Sequence, residues 1–422
     1  MTRHSRMSRI AVILGLAGLT LIGCGNADDP AKEKSAYRAG PGANEGNGEL
    51  VLGTLLPQTG NLTVLGPGEF AGVGLAVKDI NAAGGVLGKP VRKIDSDSGD
   101  TSTDIATQSV NRLLVEKVDT IIGAASSGVS FTVIDKITGA GVVHFSAANT
   151  SPKFTDYPDK GLYFRTAPSD VLQGRGMGEL VIADGHLDTV IMALDDPYGT
   201  GLAENVEKSI TAGGGKVVEK IIYDPKAASY SAEVSKVAAA EAEALVLIGF
   251  DETRKIIPEL VAQGVGPDKL PVYFVDGNLG DYSKDFKRGV LKGMKGTLPG
   301  AESGDDFRKR LLEVDPKLTD FSYGPEAYDA AVLTALAAVA AKSDAGTAIA
   351  TKLVDVSRDG KKCTTFADCV ALLSSGENID YDGVSGPVEF SDKGDPTEAT
   401  VGIYQYGEDN TFKNIEYRAG KI

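Results

Sequence analysis

Short apolar runs alternate with helical patterns twice along this chain, and no other feature limits the fold as much. Residues 49–56 form the first apolar run. Residues 69–83 then place Phe70, Val73, Val77 and Ile80 at helical spacing, and Gly84-Gly85 stops them. Residues 91–97 read as the next strand, 103–117 as an amphipathic helix, and 120–123 and 142–146 as two further strands. A second set has strands at 189–195, 216–224, 244–250 and 271–276, with helical stretches at 202–212, 231–241 and 252–263. Alternation of this kind predicts parallel sheets covered by helices on both faces. Two sets in series predict an α/β chain of two similar, doubly wound lobes. Ligands in such folds bind outside the carboxyl ends of the strands, so the expected site is the cleft between the lobes. After Leu298 the pattern changes: 321–342 contains a long Ala-rich helix, 365–373 a shorter one, and 386–390 and 400–406 read as closing strands. Crossings are expected near 164–170, 296–300 and 385–387, making a three-crossing hinge. The first lobe would then hold 49–168 plus 299–385, and the second 169–298 plus 386–422.

The first residues read as an address. Met1 to Arg9 is basic and 10–23 is apolar, shorter than the ~20 residues that span a bilayer but suited to a secretory signal. The run ends Leu21-Ile22-Gly23-Cys24, which resembles a bacterial lipobox. This predicts a removed signal peptide over 1–23 and a lipidated Cys24. A polar, Gly- and Ser-containing tether over 24–48 would follow, too poor in apolar residues to order itself. Two or more acyl chains hold a membrane stably where one does not. The remaining cysteines, Cys363 and Cys369, form an isolated pair, which in an exported chain reads as a disulfide. Its short ring is worth ~2–2.5 kcal/mol in loop-closure entropy. Two thiols without a neighbouring His lack the ligands of a metal site, so no metal is expected.

Charge and motif content exclude other classes. The chain has 43 basic and 58 acidic residues, net −15, which argues against a nucleic-acid partner. It has three His, no phosphate-binding glycine loop and no nucleophile elbow, so no enzyme activity and no cofactor are expected. His144 lies in an apolar run and reads as core. The pairs Asp195-Asp196 and Asp305-Asp306 read as solvated turns.

Some residues carry binding chemistry. Ser126-Ser127-Gly128 follows a buried strand and opens a helical stretch, whose free N–H groups suit a carboxylate. Serines there either cap the helix or bind the ligand. Asp276 ends an apolar strand, as a turn former or as a ligand group. Tyr198 and Phe250 are core or cleft aromatics. Together with Ile80-Asn81-Ala82-Ala83-Gly84-Gly85, Ala148-Asn149-Thr150, Phe164-Arg165-Thr166, Tyr198-Gly199-Thr200-Gly201 and Asp380-Tyr381-Asp382-Gly383, in this order and spacing, the chain resembles the periplasmic binding proteins of the branched-chain amino-acid type. These are the type I binding proteins that serve ABC transporters. The resemblance spans nearly all of 49–422.

That resemblance implies that Ser127 or Ser126, with Ala148 and Thr150, holds a ligand's α-carboxylate and amino group. It implies that Asp276, where many members have Glu, pairs with the ammonium. It places Tyr198 and Phe250 on the pocket wall, and Leu65 where relatives often carry Trp or Tyr, which implies a roomier pocket. The implied function is a monomeric, extracytoplasmic solute-binding lipoprotein that delivers a branched-chain or other neutral amino acid to an ABC permease and its ATPase. It would sit on the outer face of the bacterial cytoplasmic membrane, held only by its lipid. The alternatives are a binding protein for another small polar solute, such as an amide, urea or aromatic acid, and a ligand-sensing subunit. On this reading Asp276→Ala weakens binding and leaves the fold intact.

Overall fold

The computed structural model describes residues 46–422. The expected signal peptide, Cys24 and tether residues 24–45 lie outside the described residues. Five parallel strands make the first sheet: β1 (Val51–Leu56), β2 (Arg92–Asp97), β3 (Thr120–Gly123), β4 (Val143–Ser146) and β5 (Tyr163–Arg165), in the order β2-β1-β3-β4-β5. Its helices are α1 (Gly66–Ala82), α2 (Ile105–Val115) and α3 (Ser127–Gly139). Neighbouring residues of one strand point to opposite faces of a sheet. Accordingly Ile121 packs with Val110 and Val133 of α2 and α3, while Ile122 packs with Ala76 of α1 and Val332 of a later helix. Both faces are therefore buried, as continuous apolar strands require.

The second lobe begins at α4 (Asp170–Ala183) and adds β6 (Asp188–Leu194), α5 (Pro197–Ala212), β7 (Lys216–Tyr223), α6 (Ser231–Ala239), β8 (Ala244–Ile248), α7 (Thr253–Ala262), β9 (Val272–Phe274) and β10 (Lys295–Pro299). The chain then returns through α8 (Asp305–Val314), the Ala-rich α9 (Gly324–Ala341) and α10 (Gly346–Leu353). β11 (Lys361–Cys363), α11 (Phe366–Ser374), β12 (Ile379–Gly383) and β13 (Gly386–Pro387) follow. Finally β14 (Glu398–Tyr406) and β15 (Phe412–Lys421) close the second sheet, whose order is β15-β14-β10-β9-β8-β6-β7. The strands β6 to β10 are parallel, and β14 and β15 add antiparallel to that edge.

The third crossing lies later than residues 385–387. β13 pairs with β12 in a small separate sheet, and Phe390 is fully buried in the first core. Asp395 forms a 2.6 Å ion pair with buried Arg165 at the end of β5. The chain thus stays with the first lobe to Asp395 and crosses just before Glu398. Cys363 and Cys369 are joined by a disulfide that ties β11 to α11. The end of the expected tether is held to the body: the amides of Asn47, Gly48 and Glu49 all donate to Oδ2 of Asp344, at 2.7, 2.9 and 3.2 Å. Burial alone would raise the Asp344 carboxyl, but these amides hold it below its usual range.

Candidate functional site

The loops at the carboxyl ends of β1, β3 and β4 face those of β6, β8 and β9, and a small cavity lies where they meet. Leu65, Ser126, Ser127, Ala148, Thr150, Tyr198, Phe250 and Asp276 all line it, with Leu62, Ala125 and Gly277. The cavity holds about 10 Å³, room for about one water. A larger opening of about 770 Å³ adjoins it and shares Phe250 and Gly277. Anything the size of an amino acid therefore enters only if the walls part.

The first-lobe wall is fixed by local chemistry. Ser126 is the N-cap of α3, and its hydroxyl accepts the Val129 amide at 3.3 Å. Ser127 begins the helix, and its Oγ accepts the Ser151 amide at 3.3 Å. Both hydroxyls thus have a structural partner and also border the cavity. The Ala148-Asn149-Thr150 loop is pinned from beneath. Ser146 Oγ accepts the amides of Ala148 and Asn149, and Asn149 Nδ2 donates to the carbonyls of Ala124 and Ala125 at 3.0 and 2.9 Å. Arg165 Nη1 reaches the carbonyls of Asn149 and Ser151 at 3.3 and 2.8 Å. Leu65, just ahead of α1, is buried against the second-lobe cluster.

The second-lobe wall centres on Asp276, which follows β9. Its Oδ1 accepts from Tyr198 OH at 2.7 Å and Gln173 Nε2 at 2.9 Å, and its Oδ2 from Tyr323 OH at 2.7 Å. Burial pushes the carboxyl up, and these donors oppose that shift by stabilising its ionised form. Burial and the Asp276 charge push Tyr198 and Tyr323 well above the usual phenol range, so both stay protonated donors. Tyr198 stacks on Phe250, with ring centroids 5.4 Å apart and planes 8° apart. None of the residues lining the small cavity is basic. One wall therefore offers hydroxyls and a helix N-terminus, the other a buried acid and an aromatic pair.

Tyr323 and Gln173 are the members that sequence reasoning missed. Tyr323 falls within the span read as helix, yet it is the left-handed residue (φ +57°) ahead of α9. The following Gly324-Pro325 marks a helix start and was the available signal. Gln173 lies on α4 with nothing in its neighbourhood to single it out. His144 is fully buried, and burial pushes its imidazole down to about 4, so it stays neutral in the core.

The family model described as periplasmic binding protein matches residues 49–411. A Brucella suis protein named Leu/Ile/Val-binding protein homolog 1 is 27% identical over 380 residues, 87% of this chain and 94% of that protein. A crystal structure of a leucine-binding protein from Thermotoga maritima superposes with a TM-score of 0.72 at 18% identity, covering 87% of this chain and 98% of that one. A branched-chain amino-acid substrate-binding protein of Streptococcus pneumoniae, in complex with isoleucine, gives a TM-score of 0.71 at 21% identity, covering 89% and 100%.

Proposed function

The chain belongs to the periplasmic binding protein family, and from that premise we propose that it captures a branched-chain or other neutral amino acid outside the cytoplasm and hands it to an ABC importer. The observation that carries this reading is the complementarity of the two cavity walls. The α3 N-terminus and the Ser127 and Thr150 hydroxyls suit a carboxylate, while Asp276 suits an ammonium. Tyr198 and Phe250 offer an apolar face to the side chain. A zwitterion bridging the walls recovers hydrogen bonds for both of its charges. The relatives that match are named for leucine, isoleucine and valine binding, which supports the same class. The role is binding without chemistry, and the protein acts as a monomer anchored by lipid at Cys24. The lobes are those drawn above, with the third crossing moved to the segment just before Glu398.

A thermal-shift screen of the twenty amino acids, with urea, simple amides and benzoate alongside, tests this. A ligand at 100 times its Kd adds ~2.7 kcal/mol. Stabilisation by a neutral amino acid is the expected result. Stabilisation by benzoate, urea or an amide with none from any amino acid would replace the reading with that solute class.

A further inference from the structure

We propose that Tyr323 is a cross-cleft latch, a positioning residue whose hydroxyl couples closure of the lobes to the charge state and occupancy of Asp276. The inference rests on the reading of Asp276 as the partner of a ligand ammonium, and deepens it.

The geometry assigns the three donors on Asp276 unequally. Tyr198 sits in the first turn of α5 and Gln173 on α4, both second-lobe helices. Gln173 is further fixed to Thr297 of β10, at 3.3 Å to its carbonyl and 3.2 Å to its hydroxyl. These two donors move with Asp276. Tyr323 does not: it heads α9, whose body packs in the first core through Ala327, Ala331 and Leu336. Its own ring is 2% exposed and joins the second-lobe cluster instead. A left-handed backbone at a bulky residue is uncommon and disfavoured. Here it turns the ring out of the α9 axis and across the cleft.

A carboxylate offers about four lone-pair sites. Three side-chain donors address Asp276, and the Gly277 amide also stabilises its ionised form, so an arriving ammonium joins a carboxylate already held ionised by its surroundings. When the lobes part, Oδ2 loses its donor while Oδ1 keeps both of its own. The Tyr323 bond therefore exists only in the closed arrangement. An ammonium on Asp276 holds the carboxylate ionised against burial, and an ionised acceptor makes a hydrogen bond roughly twice as strong. Ligand thus strengthens the latch, and by linkage the latch strengthens ligand binding by the same factor.

Calorimetry and solution scattering on wild type, Tyr323→Phe, Asp276→Asn and the double variant decide it. Tyr323→Phe keeps the ring and removes the donor. It should bind the amino acid found in the screen about 10–100-fold more weakly. Its ligand-free radius of gyration should exceed that of wild type, and its effect on affinity should largely vanish in the Asp276→Asn background. Tyr198→Phe, which removes a donor from the same lobe, should weaken binding without changing the ligand-free shape. Wild-type affinity and shape in Tyr323→Phe, or strict additivity with Asp276→Asn, would overturn the latch. If wild type binds no amino acid, the amino-acid reading fails on its own, and the ligand-free scattering comparison still decides whether Tyr323 holds the lobes together.

Discussion

Asp276 shows how one residue takes on two roles. At a strand's carboxyl end it reads from the sequence as a ligand group whose removal leaves the fold untouched. The structure gives it three buried donors to satisfy: Gln173, Tyr198 and Tyr323. Leaving a buried donor unpaired costs about 1–3 kcal/mol each. Asp276→Ala is therefore expected to weaken amino-acid binding at least ~10-fold and also to lower the ligand-free melting temperature. Asp276→Asn, which keeps the shape and one acceptor, should do less of both. Titration calorimetry gives the first effect and scanning calorimetry the second. An unchanged melting temperature in Asp276→Ala would mean that water replaces the lost acceptor. The sequence brings the eight candidate residues to one cavity because the loops that carry them follow recognisable apolar strands. Tyr323 was not legible, because a cross-lobe contact depends on how two cores far apart in sequence come to face each other.

At the scale of elements, α1 and α9 approach unusually closely. A Cβ on Gly72 would lie 2.2 Å from the Gly324 carbonyl oxygen, so only glycine fits. Two acids are buried in this contact. Burial pushes Glu326 up to about 8, and burial followed by the Glu326 charge pushes Glu69 well above the usual range. Asp329, one turn further along α9, is pushed up to about 6, again by burial. Each is an acid whose folded value stands above its unfolded one, so the folded chain holds the extra protons. Stability is then greatest at the acid end of the window from about 4.5 to about 8 and falls as pH climbs through it. Glu326→Gln should flatten this decline and raise the melting temperature at pH 8, by about 1–2 °C for each kcal/mol relieved. Melts of both proteins at pH 5 and pH 8 provide the check, and parallel slopes would refute the assignment. The elements themselves were largely readable, because strand and helix periods alternate cleanly from β1 to β9. The 386–390 segment was not. Its apolar Val388 and Phe390 suit either lobe, and long-range contacts such as the β12–β13 pairing and the Arg165–Asp395 pair settle which core takes them.

For the whole molecule, the separation of anchor from binding body is the testable feature. The lipobox reading places the membrane attachment at Cys24, ahead of every residue that shapes the cleft. Cys24→Ala is expected to yield protein released from membranes that binds its ligand with wild-type affinity. Fractionation after a high-salt wash and titration of the released protein measure both halves. Retention of the variant on washed membranes would refute a lipid anchor. The structure adds a constraint where the chain enters the body. One oxygen of Asp344, in the turn between α9 and α10, accepts three successive amides from residues 47–49. Mechanically this is a strain relief, like the clamp where a cable enters its housing. If residues 24–48 are the tether the sequence implies, a pull along them would reach the first lobe through Asp344. On the lipobox reading, tugging by a membrane anchor would enter the first lobe there, bypass the three crossings and do no work on the cleft.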